Sequence, residues 1–291
     1  MKIIGGSASL DLAQNLARAL GVDHVSTQSE KHPGGFPDGE QYVRLQASVE
    51  NEDIVIVQTT HPDTKIIELF MLEDAVREAG AKSLSVVVPY FGYGRQDKKF
   101  EEGECISARV MAKHIQVQAD RVYLMGLHHP KVIDFFDVPA TEVNGFPAIA
   151  RYIKGHGIDL ILAPDKGAKR YAQSVSELLG IPWDYLEKER IDSFTVRITP
   201  KELDVSGKKT AIVDDLISTG RTIMSATSAL KKQGAVEVMA LCLHGLFTAD
   251  ALDVLQVCDD VVSTDTVPSP VSKISVAKEF SEAIKADLKI A

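Results

Sequence analysis

Short runs of β-branched and aliphatic residues alternate with helix-period stretches along the whole of this chain, and that alternation admits few folds. Ile3-Ile4 and the runs at 53–58, 84–88, 121–124, 159–163, 209–213 and 236–243 read as buried strands. Runs that are apolar without alternation need cover on both faces. Between them lie helical patterns. Leu12, Leu16 and Leu20 share one face of a helix ended by Gly21, and Ile66, Ile67, Phe70, Met71, Leu72, Ala75 and Val76 mark another closed at Gly80. Further helices are predicted at 108–117, 148–153, 171–179, 223–232 and 249–255. A strand is also predicted at 42–45, where Tyr42 and Val43 lead to Leu45. Strand–helix–strand order of this kind predicts α/β architecture: mostly parallel central sheets flanked by helices.

A chain of 291 residues exceeds one ordinary domain and suits two of roughly 145. The join is predicted at Asn144-Gly145-Phe146-Pro147, giving a first domain at 1–143 and a second at 144–274. Val267-Pro268-Ser269-Pro270 interrupts the pattern before a last amphipathic helix at 276–288, so the segment 275–291 is free to pack back on the first domain.

The stretch 209–222 carries the clearest chemistry. A buried strand runs into Asp214-Asp215, then into a loop of small hydroxylated residues around Gly220, then into a helix. A strand, a loop and a helix N-terminus together hold phosphate, because the free N–H groups of the first helical turn and the helix dipole both favour an anion. Ser218, Thr219 and Thr222 add hydroxyl donors, and Gly220 lets the backbone come close. The spacing is not that of a Walker A loop, since no Gly-Lys-Ser/Thr follows. Two carboxylates cannot hold a phosphate themselves; they suit sugar hydroxyls or a divalent cation beside it. A phosphorylated ribose satisfies all of these.

Composition excludes several classes. A net charge of −9 argues against non-specific nucleic-acid binding, so clustered Lys and Arg become informative as the local partners of an anionic substrate. No apolar run approaches the ~20 residues of a membrane span, and the start lacks the h-region of a signal peptide. A cytoplasmic protein without a membrane partner is expected. Cys105, Cys242 and Cys258 lack metal spacing and are expected to be buried thiols.

Val213-Asp214-Asp215 followed by Ser218-Thr219-Gly220-Arg221-Thr222 resembles the phosphoribosyl diphosphate motif shared by type I phosphoribosyltransferases and ribose-phosphate diphosphokinases. Other loops resemble the diphosphokinases specifically. Phe36-Pro37-Asp38-Gly39-Glu40 is similar to that family's aromatic-x-Asp-Gly-Glu loop, which implies adenine stacking by Phe36 with Asp38 and Glu40 reaching the polar edge, and Gly39 among the ATP-binding residues. In the family this loop reaches a neighbouring subunit, which implies a homodimer or larger assembly. Pro89 to Lys99 resembles the nucleotide loop, implying ATP contacts for Arg95 and Gln96.

Leu127-His128-His129 matches the family's metal-associated histidine signature, implying that His128 meets the Mg²⁺ carried by ATP. Gly126 stands where the family commonly has Asp. Pro164-Asp165-Lys166-Gly167 resembles a Pro-Asp-x-Gly loop, implying Asp165 as the second metal-associated group. Glu187-Lys188-Glu189-Arg190 lies between two short strand patterns and resembles a mobile catalytic loop, implying catalytic roles for Lys188 and Arg190, which alternate on one face of an extended segment. The resemblance thus implies two phosphoribosyltransferase type I-like domains, a nucleotide domain and a ribose 5-phosphate domain, with Asp214, Asp215, Ser218, Thr219, Gly220, Arg221 and Thr222 on the sugar phosphate. The implied cofactor is Mg²⁺, and the implied substrates are ATP and ribose 5-phosphate.

Overall fold

In the computed structural model, residues 1–27, 35–190, 196–200 and 204–289 are described, with the side chains of 188–190 and 196–200 outside that set. The chain divides into two compact units: Met1–Asn144 with Ser275–Ala291, and Gly145–Ile274.

The first unit runs β1 (Lys2–Gly5), α1 (Leu10–Leu20), β2 (Asp23–Val25), β3 (Asp53–Val57), α2 (Asp63–Glu78), β4 (Ser83–Val88), α3 (Ser107–Ile115), β5 (Arg121–Met125) and β6 (Ala140–Val143). The sheet order is β2-β1-β3-β4-β5-β6, parallel throughout. Its central strands are buried along almost their whole length, as their unbroken apolar sequences require. Leu12, Ala13, Leu16, Ala17 and Leu20 are the buried stripe of α1. On α2, Leu69, Leu72 and Val76 enter the core with Val86, Val88 and Leu124. Emptying one such fully buried leucine position to Ala costs about 2–5 kcal/mol. The last helix, Ala277–Leu288, returns to this unit: Asp287 Oδ2 accepts from Arg121 Nη1 at 2.9 Å and from Thr141 Oγ1 at 3.1 Å.

The second unit runs α4 (Phe146–Ile153), β7 (Leu160–Ala163), α5 (Lys169–Leu179), β8 (Trp183–Arg190), β9 (Val196–Pro200), β10 (Lys209–Ile217), α6 (Arg221–Lys232), β11 (Glu237–Gly245), α7 (Ala251–Val254), β12 (Asp260–Thr264) and β13 (Ser272–Ile274). Its sheet order is β13-β12-β11-β10-β7-β8-β9, with only β9 antiparallel. Ile212, Ile217, Ile223, Leu230, Val238 and Ala240 centre its core.

Several sequence expectations need correction. Residues 42–45 form no strand. Val43 and Leu45 pack on the first core, which accounts for their alternation, while the sheet ends at β2 on that side without a further strand among the described residues. The Gln46 N–H donates to the Ser26 carbonyl at 3.0 Å. Asp214 and Asp215 do not follow the strand; they belong to β10, which continues to Ile217 because β11 pairs with it as far as Gly245. Residues 187–190 likewise complete β8, through antiparallel pairing with β9, where a loop between strands was expected. Cys105 is exposed on the segment before α3, whereas Cys242 and Cys258 are buried.

Candidate active site

Parallel sheets gather the loops that follow their strands at one edge, the usual ligand edge of such folds. In the second unit that edge carries the end of β10 and the turn into α6. Gly220 is the residue before the helix, in the left-handed conformation at φ +72°. A Cβ there would stand 2.9 Å from Leu255 Cγ and 3.2 Å from the Ala251 carbonyl oxygen, so glycine is required both by conformation and by space. Among the described residues no side chain caps α6. The turn is fixed from behind instead: the Leu246 and Phe247 N–H groups donate to the Ile217 carbonyl at 3.0 and 3.2 Å, and the Thr248 N–H donates to the Ser218 carbonyl at 3.0 Å. Ser218 Oγ lies 3.2 Å from Thr248 Oγ1, and Thr219 is exposed. Arg221 stands 3.8 Å from Asp250, with both side chains well exposed, so the pair is weak and its guanidinium remains available to an anion.

Beside this turn the two aspartates diverge. Asp215 is 9% exposed, and its Oδ2 accepts from Tyr171 Oη at 2.9 Å. Half-buried Asp214 accepts the Asp215 N–H on Oδ1 at 2.9 Å. Burial, then the neighbouring Asp215, push the Asp214 carboxyl well above the ordinary carboxylate range, and Asp165 adds to this. Asp165 therefore belongs to the same electrostatic cluster although it follows β7. Its Oδ1 accepts from the Gly167 and Ala168 N–H groups at 2.7 and 3.2 Å, which fixes the carboxylate at the start of α5. From the same loop, Lys166 reaches Glu187 on β8 at 3.5 Å. Lys188 and Arg190 occupy alternate positions of the β8 backbone, and their side chains lie outside the described residues.

The first unit gathers its own loops at the corresponding edge. Phe36 is 40% exposed and meets Tyr42 edge to face at 5.6 Å. The turn below it is closed by three bonds: the Phe36 N–H to the Glu40 carbonyl at 2.8 Å, the Gly39 N–H to the Phe36 carbonyl at 3.0 Å, and the Glu40 N–H to Asp38 Oδ1 at 3.1 Å. Arg95 is exposed. Gln96 accepts from Ser107 Oγ at the start of α3. The backbone of this loop is anchored at Gly92, whose N–H donates to Thr60 Oγ1 at 2.8 Å and where a Cβ would stand 2.4 Å from the Thr60 carbonyl oxygen. His128 is exposed after β5, and the adjacent His129 lies 3.6 Å from Asp97, so the Arg95 and His128 loops are neighbours. Glu142 on β6 accepts the Leu127 N–H at 3.0 Å and steadies the histidine turn.

The first unit repeats the strand–loop–helix theme at Gly5 to Ser9, but there a protein carboxylate takes the anion's place. Glu68 on α2 accepts the Ser7 N–H at 2.7 Å and the Ser7 hydroxyl at 2.5 Å, with Lys65 at 3.2 Å. Gln58 accepts the Ala8 N–H at 3.2 Å. The donors of this turn are thereby met from within the unit. Neither Glu68 nor Tyr171 carries a local sequence signal, since each acts on a residue more than forty positions away.

Two parallel α/β units, one carrying a glycine-turned helix N-terminus beside paired aspartates, define a protein of the phosphoribosyltransferase-like fold class. A family model described as the N-terminal domain of ribose phosphate pyrophosphokinase matches residues 1–118, and one described as phosphoribosyl synthetase-associated domain matches residues 168–286. The ribose-phosphate pyrophosphokinase of Methanosarcina acetivorans is 40% identical over 291 residues, covering 98% of this chain and 99% of that protein. That of Methanopyrus kandleri is 36% identical with the same coverage. Among solved structures, phosphoribosylpyrophosphate synthetase from Mycobacterium smegmatis is similar at a TM-score of 0.84, with 28% identity, over 100% of this chain and 99% of that one. The chain belongs to the ribose-phosphate pyrophosphokinase family.

Proposed function

We propose that this chain transfers the diphosphoryl group of MgATP to the 1-hydroxyl of ribose 5-phosphate, giving 5-phosphoribosyl 1-diphosphate and AMP for nucleotide biosynthesis. The observation that carries the reading is the Gly220 turn with Asp214 and Asp215 at its side, in a chain that matches this enzyme family over nearly its whole length. The backbone N–H groups of residues 221 and 222, with Ser218, Thr219, Arg221 and Thr222 side chains, hold the 5-phosphate. Asp214 and Asp215 hold the ribose hydroxyls, directly or through a cation. Phe36 stacks on adenine, with Asp38, Gly39 and Glu40 at its edge, and Arg95 and Gln96 contact the triphosphate.

Mg²⁺ fits these residues. Asp214 is raised by burial and by two neighbouring carboxylates, a crowding that a divalent cation relieves. The described residues assemble no group of three or more potential ligands, so phosphate oxygens and water would have to complete the ion's shell. When bound, Mg²⁺ would supply charge neutralisation on the phosphates; His128 in the first unit and Asp165 in the second are each a candidate protein contact for such an ion. The 1-hydroxyl oxygen attacks the β-phosphorus in line as AMP departs. Lys188 and Arg190 stabilise the charge that develops on the nonbridging oxygens.

Self-association, as a homodimer or larger, belongs to the same reading, on the resemblance of the Phe36 loop to one that reaches a neighbouring subunit. The cytoplasm is where both substrates are met, and no described helix is long and apolar enough to cross a membrane.

Purified chain incubated with ATP, ribose 5-phosphate and Mg²⁺ should form AMP only when the sugar phosphate is present. Diphosphate release on addition of a nucleobase to 5-phosphoribosyl 1-diphosphate, with no AMP formed in the first assay, would replace this reading by a phosphoribosyltransferase.

A further inference from the structure

The reaction proposed above leaves one buried polar group at the site without a task. Tyr171, on α5, stands 44 residues before Asp215, yet its Oη donates to Asp215 Oδ2 at 2.9 Å. The phenol is held on several sides. Its ring stacks on Phe146, with centroids 4.8 Å apart and planes 22° apart. The Arg170 guanidinium lies over the ring at 4.6 Å, and its Nη2 donates to Tyr171 Oη. Tyr171 is 7% exposed.

The polarity of this chain of bonds is fixed at one end. A guanidinium has donors and no acceptor, so Oη must accept from Arg170 and its own proton must point onward to Asp215. Asp215 Oδ2 is therefore the acceptor, and the bond restrains the carboxylate torsion. A buried tyrosine usually finds some partner for its hydroxyl. Here the partner is one of the two carboxylates on which sugar binding depends, and the donor behind it is a stacked cation.

We infer that Tyr171 is a positioning residue for ribose 5-phosphate: it clamps the Asp215 carboxylate, with Arg170 setting the direction of the hydrogen bond. The inference rests on the ribose-binding role given to Asp215 above. Tyr171→Phe keeps the ring, its stacking and its burial, and removes only the hydroxyl. The KM for ribose 5-phosphate should rise about tenfold or more, as for a lost hydrogen bond to a charged group. The KM for ATP should stay within about twofold and the melting temperature within a few degrees. Unchanged KM for the sugar, or an equal rise for both substrates, would overturn the clamp.

A double-mutant cycle with Asp215→Asn separates this inference from the reading beneath it. Acting through Asp215, Tyr171→Phe should add nothing further in the Asp215→Asn background, and additive effects count against it. If Asp215→Asn alone leaves the KM for ribose 5-phosphate unchanged, the ribose role of Asp215 fails and takes the clamp with it. If that variant raises the KM while Tyr171→Phe is silent, only the clamp fails.

Discussion

Glu73 offers a test of how this fold handles a charge in its interior. It lies on α2 at 1% exposure, and its Oε1 is buried with no hydrogen-bond partner among the described residues. Burial pushes its carboxyl from 4.5 up to about 9, against a smaller opposing pull from Arg77 one turn along the helix. The group is therefore neutral in the folded protein at pH 7 and ionised in the unfolded chain. Folding then takes up a proton, so stability falls as pH rises. The contribution is whole below pH 4.5 and is lost progressively up to about pH 9.

The interval from 4.5 to 7, at ~1.4 kcal/mol per pH unit, makes the cost at pH 7 roughly 3 kcal/mol. Glu73→Gln keeps the shape and removes the titration. It should be more stable than the parent by roughly 1 kcal/mol at pH 5.5, 3 at pH 7 and 5 at pH 8.5. For a unit of this size that is a gain of roughly 6–12 °C at pH 7. Calorimetric melts of both proteins at the three pH values measure it. Parallel stability curves, or a variant that loses ground as pH rises, would refute a neutral buried Glu73.

Three further outcomes are expected at the site. Lys188→Ala should lower turnover by about 10³-fold or more while leaving the melting temperature unchanged; near-normal turnover removes Lys188 from catalysis. Phe36→Ala should raise the KM for ATP more than that for ribose 5-phosphate, since its ring is exposed on a turn whose backbone bonds do not involve it; equal rises in steady-state assays contradict adenine stacking. Gly220→Ala should weaken ribose 5-phosphate binding at least tenfold in calorimetric titration and cost about 1–3 kcal/mol of stability, because its φ of +72° disfavours any Cβ and Leu255 stands in the way. Wild-type affinity in that variant would show that the turn does not need glycine.

The sequence by itself marked the helices and the central strands, because a period of two or 3.6 residues and the residues that end each run are local properties of the chain; the short strands β2, β6, β12 and β13 carry too brief a run to be read this way. It likewise marked the turn at Ser218 to Thr222 and the Asp38-Gly39 turn, where the glycine and hydroxyl chemistry is read within a few positions. Alternation misled at Tyr42 to Leu45, since packing on a core produces the same pattern as pairing in a sheet. It also fell short at Asp214, Asp215 and Glu187 to Arg190, where neighbours β11 and β9 extend the strands beyond their apolar portion.

Only the tertiary structure decided which carboxylate meets which donor. Glu68 fills the Gly5 to Ser9 turn from 61 residues away, and Tyr171 takes Asp215 from 44. Those pairings depend on where helices land against a sheet, and the burial that raises the Asp214 and Glu73 carboxyls arises only once distant apolar segments have excluded water around them.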